Sequence, residues 1–171
     1  MNKTKELSLN GISIALIAVA TMVIKVPVPA TEGYIHLGDS MIYIVSILFG
    51  WKTGLIAGGL GSALADLFSG YAHWAFPTLI IKGLEGLIIG KIAYKTTQNT
   101  SLRIKDIIAA LTGGGWMVLG YYLAGVILTH SFAVPLSSIP WNIIQAVGGA
   151  IIAFPIIFAI IKSNILKFLH N

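Results

Sequence analysis

The chain has 171 residues, 56% of them hydrophobic and 10% charged, with a mean hydropathy of +0.88. A soluble domain of this size cannot bury that much apolar surface, so the composition indicates a polytopic membrane protein whose length suits one domain. The lack of cysteine excludes disulfides, thiolate catalysis and cysteine-based metal sites, and the net charge of +5 resides mainly in short loops and tails, a membrane pattern and not a nucleic-acid surface.

Six helices are predicted, at 7–25, 38–51, 53–69, 78–95, 107–128 and 140–167. The opening "KTKELSLNGISIALIAVATMVIKV" has a basic start and an Ala18-Val19-Ala20 that resembles a cleavage site. Its apolar run continues through Met22, Val23 and Ile24, so it reads as a retained first helix. Gly11, Ala15 and Ala18 form a small-residue stripe on that helix, suited to close packing within the chain or against a partner. The second helix is short for a span, and reads either as a buried half-span or as one extending into its flanks. The third is rich in glycine, with Gly54, Gly58 and Ser62 forming another stripe. The fourth, "TLIIKGLEGLIIGKIAY", carries Lys82 and Glu85 near its start. The fifth has about the 20 residues that a hydrocarbon core requires. The expected fold is an all-α integral membrane protein, a compact bundle of six transmembrane helices.

With the N-terminus in the cytoplasm, Lys3, Lys5, Lys52, Lys91, Lys95, Arg103, Lys105, Lys162 and Lys167 fall inside, and Lys25 and Lys82 fall outside. This bias predicts both termini cytoplasmic. The connections 26–37, 70–77 and 129–139 are then external, and 96–106 is internal. Polar groups gather at the outer end: Glu32, His36 and Asp39 about the first external loop, Asp66 and His73 about the second, Lys82 and Glu85 beginning the fourth helix, and Asn142 and Gln145 beside Trp141 in the sixth. Charge inside a bilayer costs several kcal/mol unless it faces a cavity or a partner, so their convergence predicts an outward pocket. Plainer readings remain open. Lys82 and Glu85 at i and i+3 could simply neutralise one another, Asp66 could cap or pair with Lys82, and His73 and His130 could be interfacial. Trp74 and Trp141 could belong to an aromatic belt. The amides of Asn142 and Gln145, on adjacent turns of one face, suit heteroaromatic rings and hydroxyls.

Enzymatic motifs are missing. "GLIIGKI" at 86–92 has too few residues between its glycines for a phosphate loop and places Ile92 where Ser or Thr is required. The sequence has no G-x-S-x-G elbow, no H-E-x-x-H pair and no closely spaced carboxylate array for a metal. The chain is expected not to be an enzyme and to hold no cofactor, so any active transport draws on a partner or an ion gradient.

The stretch "IHLGDSMIYIVSILFGWKTGLIAGGLGSALADLFSG" at 35–70, with six helices and a small-residue first helix, resembles the substrate-binding S component of energy-coupling-factor (ECF) vitamin transporters, and the likeness extends over most of the chain. Within that family it is similar to components for hydroxymethylpyrimidine or pyridoxine-type substrates. The resemblance implies a multi-pass subunit in a bacterial cell membrane that captures a vitamin or precursor. It would dock on a transmembrane coupling subunit driven by two cytoplasmic ATPases that use ATP, and topple to deliver its ligand inward. The family's Ala-x-x-x-Ala docking signature has its nearest match at Gly11-x-x-x-Ala15, so Gly11, Ala15 and Ala18 are the expected docking residues. The first external loop, with Tyr34 and His36, is the expected lid. Asp39, Lys82, Glu85, Asn142 and Gln145 are the expected polar contacts, with Tyr43, Trp74 and Trp141 stacking on the ring. The alternative is a self-sufficient proton-coupled carrier with Asp66, Lys82 and Glu85 as its relay; a third is a non-transporting membrane scaffold.

Overall fold

The computed structural model describes residues 3–28, 33–93 and 103–163. Glu32, Lys95, Lys167 and the ends predicted for the fourth and sixth helices lie outside them. The described residues form six α-helices: α1 (Lys3–Val23), α2 (Gly38–Phe49), α3 (Trp51–Phe68), α4 (Ala72–Ile92), α5 (Ile104–Thr129) and α6 (Ile139–Lys162). The sixth is preceded by a 3₁₀ turn, Val134–Ser138, with Pro135 in its first turn. Among the described residues, three stretches are long and apolar enough to cross a membrane: α1, α5, and the 3₁₀ turn together with α6.

The first connection is not a plain loop. Strands β1 (Lys25–Val28) and β2 (Gly33–His36) pair antiparallel, with Lys25 opposite His36 and Val28 opposite Gly33. β-Branched and aromatic residues favour this pairing, and Pro27 is tolerated because a two-stranded ribbon consists only of edges.

The fourth helix begins at Ala72, six residues before the predicted start, and it contains Pro77. Proline commonly ends a helix, which is why 70–77 reads as a loop. Within a membrane protein, neighbouring helices and local adjustments can accommodate the freed carbonyl. The earlier start moves Lys82 from near the helix end to its middle, the eleventh of 21 residues. The Lys82 side chain is 0% exposed.

α2 has 12 residues and is buried along nearly its whole length, which accords with the buried half-span reading. Gly50 alone links it to α3, and its φ of 87° is the left-handed conformation that a side chain disfavours. α3 then packs along α4 through glycines, so the small stripe on α3 closes the bundle internally. A Cβ on Gly58 would lie 2.7 Å from the Lys82 carbonyl oxygen, and one on Gly86 would collide with the Gly54 backbone. The α1 stripe is different: Gly11 and Ala15 are exposed, Ala18 is half-buried, and nothing lies within 4 Å of a Cβ placed on Gly11. The buried core between the helices includes Ile17, Ile42, Tyr43, Ile89 and Ile157.

Gly86→Ala forces α3 and α4 apart. The expected cost is about 1–3 kcal/mol, as for other overpacked cores, seen as a lower thermal midpoint in detergent. Gly11→Ala, inside α1 with open space around it, is expected to raise the midpoint slightly, by the roughly 0.5–1 kcal/mol that glycine costs within a helix.

Candidate functional site

Asp39 is in the first turn of α2, Lys82 is at the middle of α4, and Glu85 lies one turn further on. Gln145 comes from the second turn of α6. The Lys82 Nζ donates to Asp39 Oδ1 and, at 2.9 Å, to Glu85 Oε2. Gln145 Nε2 donates to the same Asp39 oxygen at 3.1 Å, while Gln145 Oε1 accepts the His36 backbone N–H at 2.9 Å. Lys82 and Glu85 therefore do not neutralise one another in isolation. A third charge enters from α2, leaving one cation between two carboxylates in a fully buried setting. Asp39 Oδ2 and Glu85 Oε1 have no hydrogen-bond partner among the described residues. A buried acceptor left unpaired costs about 1–3 kcal/mol, more when it is charged.

The hairpin covers this cluster. His36 Nδ1 accepts the Gly38 N–H at 3.0 Å, which fixes the neutral tautomer with its proton on Nε2. Burial pushes the His36 pKa down from its usual value to about 4, against the opposing pull of Asp39. Tyr34 donates to Asp66 Oδ1 at 2.7 Å. Burial and the adjacent Asp66 carboxylate raise its phenol pKa, so it stays a donor across the ordinary pH range. Lys25 donates to Ser69 at 2.8 Å, tying β1 to the end of α3. Asp66 thus pairs with the hairpin, and of its open readings the pairing with Lys82 is not observed among the described residues.

A chain of rings runs from the hairpin to the charged cluster. Tyr34 lies 5.4 Å from His36 and 4.5 Å from Tyr71; His73 and Trp74 continue it, and Trp74 meets Tyr121 edge-on at 5.8 Å. The Lys82 Nζ sits 5.6 Å from the Tyr121 ring centroid, within cation–π range. The Tyr121 hydroxyl and Thr78 Oγ1 are 3.2 Å apart. Trp74 is buried with its indole N–H unpartnered among the described residues. Tyr43 is buried beside Gly114, and Asn142 is buried at the start of α6.

Trp141 is not brought to the cluster: it is 43% exposed. His73 reaches the ring chain from an exposed position, and His130 caps α5 at the surface. Tyr121 and Tyr71 escape the reading of the residues. The only signal for Tyr121 is the "YY" of α5, and the helix turns Tyr121, not Tyr122, toward Lys82.

A profile described as "ECF-type riboflavin transporter, S component" matches residues 1–162. The chain belongs to this family of ECF S components. This S component is 41% identical over 136 residues to an "Uncharacterized protein in gap 3'region" from Pyrococcus woesei, covering 80% of this chain and 88% of that protein. It is 30% identical over 150 residues to the "Thiamine precursor transporter HmpT" of Lactococcus lactis subsp. cremoris, covering 87% and 83%. It is also 36% identical over 105 residues to a "UPF0397 protein" of Streptococcus pneumoniae, covering 61% and 57%. The S component is thus a membrane protein that binds a vitamin-type substrate for transport.

Two outcomes test this geometry. Lys82→Met leaves two carboxylates buried without their cation and is expected to cost about 3–5 kcal/mol. The triple variant Asp39→Asn, Lys82→Met, Glu85→Gln recovers most of that in the same detergent melt. Because His36 is buried neutral, the unfolded chain takes up its proton first. Stability is then full above about pH 6.5 and falls as the pH drops toward 4, by up to roughly 3 kcal/mol. Melts between pH 7 and 4 should show this decline, and His36→Gln should flatten it.

Proposed function

We propose that this S component captures a small nitrogen heterocycle of the hydroxymethylpyrimidine or pyridoxine type. The observation that carries the reading is the pair of unpartnered buried carboxylate oxygens, Asp39 Oδ2 and Glu85 Oε1. They call for a ligand rich in N–H or O–H donors, or one bearing a positive charge. An aminopyrimidine supplies donors on its exocyclic amine, and a protonated ring nitrogen adjoining that amine would present two donors to one carboxylate. Pyridoxine supplies hydroxyl donors and a basic ring nitrogen. Lys82 and the amides of Asn142 and Gln145 bind the acceptors of such a ring, and Tyr43 and Trp74 flank it. Trp141 would contribute only if α6 turned. The relative named as a thiamine precursor transporter supports the pyrimidine over other vitamins. The family is that of riboflavin transporter S components, which makes riboflavin the necessary comparator.

The hairpin serves as the lid: the site beneath it is closed, and entry requires it to lift from Asp66, Ser69 and Gln145. The lid end faces outward and both termini lie in the cytoplasm, in keeping with the basic residues at the other end of the helices. In this reading the chain is one domain. It delivers its ligand docked on a transmembrane coupling subunit, with ATP consumed by two cytoplasmic ATPases. The exposed Gly11–Ala15 face of α1, with Ala18 at its edge, is the docking face, because it is the small-residue stripe that the bundle leaves open.

Titration calorimetry on the purified protein with hydroxymethylpyrimidine, pyridoxine and riboflavin tests the substrate. One of the first two should bind, and Asp39→Asn should weaken it about 30-fold or more, the loss of at least ~2 kcal/mol expected when one partner of a buried charge pair is removed. Binding of riboflavin alone overturns the reading. Docking is tested by co-purification with the coupling subunit and ATPases, which Ala15→Leu should abolish. Uptake that persists on a proton gradient without ATP would favour the proton-coupled carrier.

A further inference from the structure

On the outer side of the α3–α4 contact lies an open apolar groove of about 380 Å³, lined by Leu55, Ile56, Leu60, Leu79, Ile80 and Leu84. It exists because Gly59 and Gly83 bring the two backbones together: a Cβ on Gly59 would lie 3.4 Å from the Gly83 Cα and 2.8 Å from the Leu79 carbonyl oxygen. The large side chains of the two helices then stand as its walls. Three of them, Ile56, Leu60 and Ile80, are between 37% and 46% exposed.

The walls lead to two lysines. Lys52, Ile56 and Leu60 recur at four-residue spacing on α3, and Leu84 and Lys91 lie seven apart on α4, so each lysine continues one wall toward the helix end. Both are exposed. Neither forms an ion pair among the described residues. Their ammonium groups share one ring: Lys52 Nζ is 5.8 Å and Lys91 Nζ 5.5 Å from the Trp51 centroid. Trp51 is held in place where Gly90 admits its backbone against α4. From Leu60 to Lys52 the helix rises ~12 Å, the length of roughly half an acyl chain.

We infer that Trp51, Lys52 and Lys91, with the groove below them, form a binding site for one anionic phospholipid. Its phosphate lies between the two ammonium groups, and one acyl chain fills the groove. Charge complementarity selects this occupant: an apolar helix would fill the groove but leave two cations unanswered, and a zwitterionic lipid would bring its own cation to them. Trp51 adds an amphipathic ring at the headgroup level, where such rings settle. The site is separate from the buried Asp39–Lys82–Glu85 cluster and does not depend on what that cluster binds.

Native mass spectrometry of the full chain in detergent, titrated with dioleoyl phosphatidylglycerol or dioleoyl phosphatidylcholine, tests the site. The anionic lipid should be retained preferentially. The Lys52→Gln, Lys91→Gln double variant should weaken its binding about 30-fold, from ~1 kcal/mol for each lysine near a membrane surface, and leave phosphatidylcholine binding unaltered. Leu60→Trp, filling the groove from an exposed wall, should weaken retention while both lysines remain. Equal retention of the two lipids, or selectivity that survives in the double variant, would overturn the site. Inorganic phosphate displacing the lipid from the wild type at equal concentration, with Leu60→Trp without effect, would likewise overturn it by showing a headgroup site with no acyl seat.

Discussion

The ion pairs of Lys82 constrain how the helices of this protein can pack. Lys82 lies at the middle of a 21-residue helix, fully buried, between Asp39 of α2 and Glu85 of its own helix. Charges so placed are tolerated only when their partners are within hydrogen-bond reach, because desolvation otherwise outweighs any attraction between them. That demand explains the glycine contacts between α3 and α4 and the short, buried α2. The glycines let α3 come close enough to stack α2 beside α4. The short α2 begins level with the middle of α4, which brings Asp39 to Lys82.

The hydrogen bonding of the cluster is incomplete. Two carboxyl groups share one ammonium, and one oxygen of each has no partner among the described residues. A protein concerned only with stability would do better with apolar residues of similar volume. The incomplete bonding is intelligible if a bound substrate completes it. The hairpin then closes over the cluster through a single backbone bond to Gln145 and through Tyr34, whose partner Asp66 belongs to α3 and not to the site itself. Gln145 touches both the hairpin and Asp39, so the proposed closure and the proposed binding would share it. At the end of the α3–α4 pair away from the hairpin, Trp51 lies beneath Lys52 and Lys91.

Much of this was legible from residue types. Polar residues are so scarce in an apolar chain that their clustering in sequence about the lid-side ends of the helices marks Asp39, Lys82, Glu85 and Gln145, and the structure gathers those four. Asp66 was visible too, but its partner was not, because the Tyr34–Asp66 bond spans 32 residues and needs the hairpin to form. Pro77 misled for a definite reason. Its local cost argues for a loop, whereas the surrounding helices carry α4 through it, and that shift of six residues moved Lys82 from the helix end to its centre. Trp141 looked equivalent to Trp74 in composition, yet helical phase turns one outward and buries the other.

The membrane setting, the helical segments and the identity of the charged groups follow from residue type and local spacing, because hydropathy and the cost of charge in lipid act on those alone. Which charge answers which, which glycine stripe is consumed inside the bundle and which stays open, and which aromatic residue meets the lysine are visible only in the packed helices. Those depend on helix phase and on approach distances between segments far apart in the chain. Neither is set by local propensity; both are set by how closely the glycines allow the helices to pack.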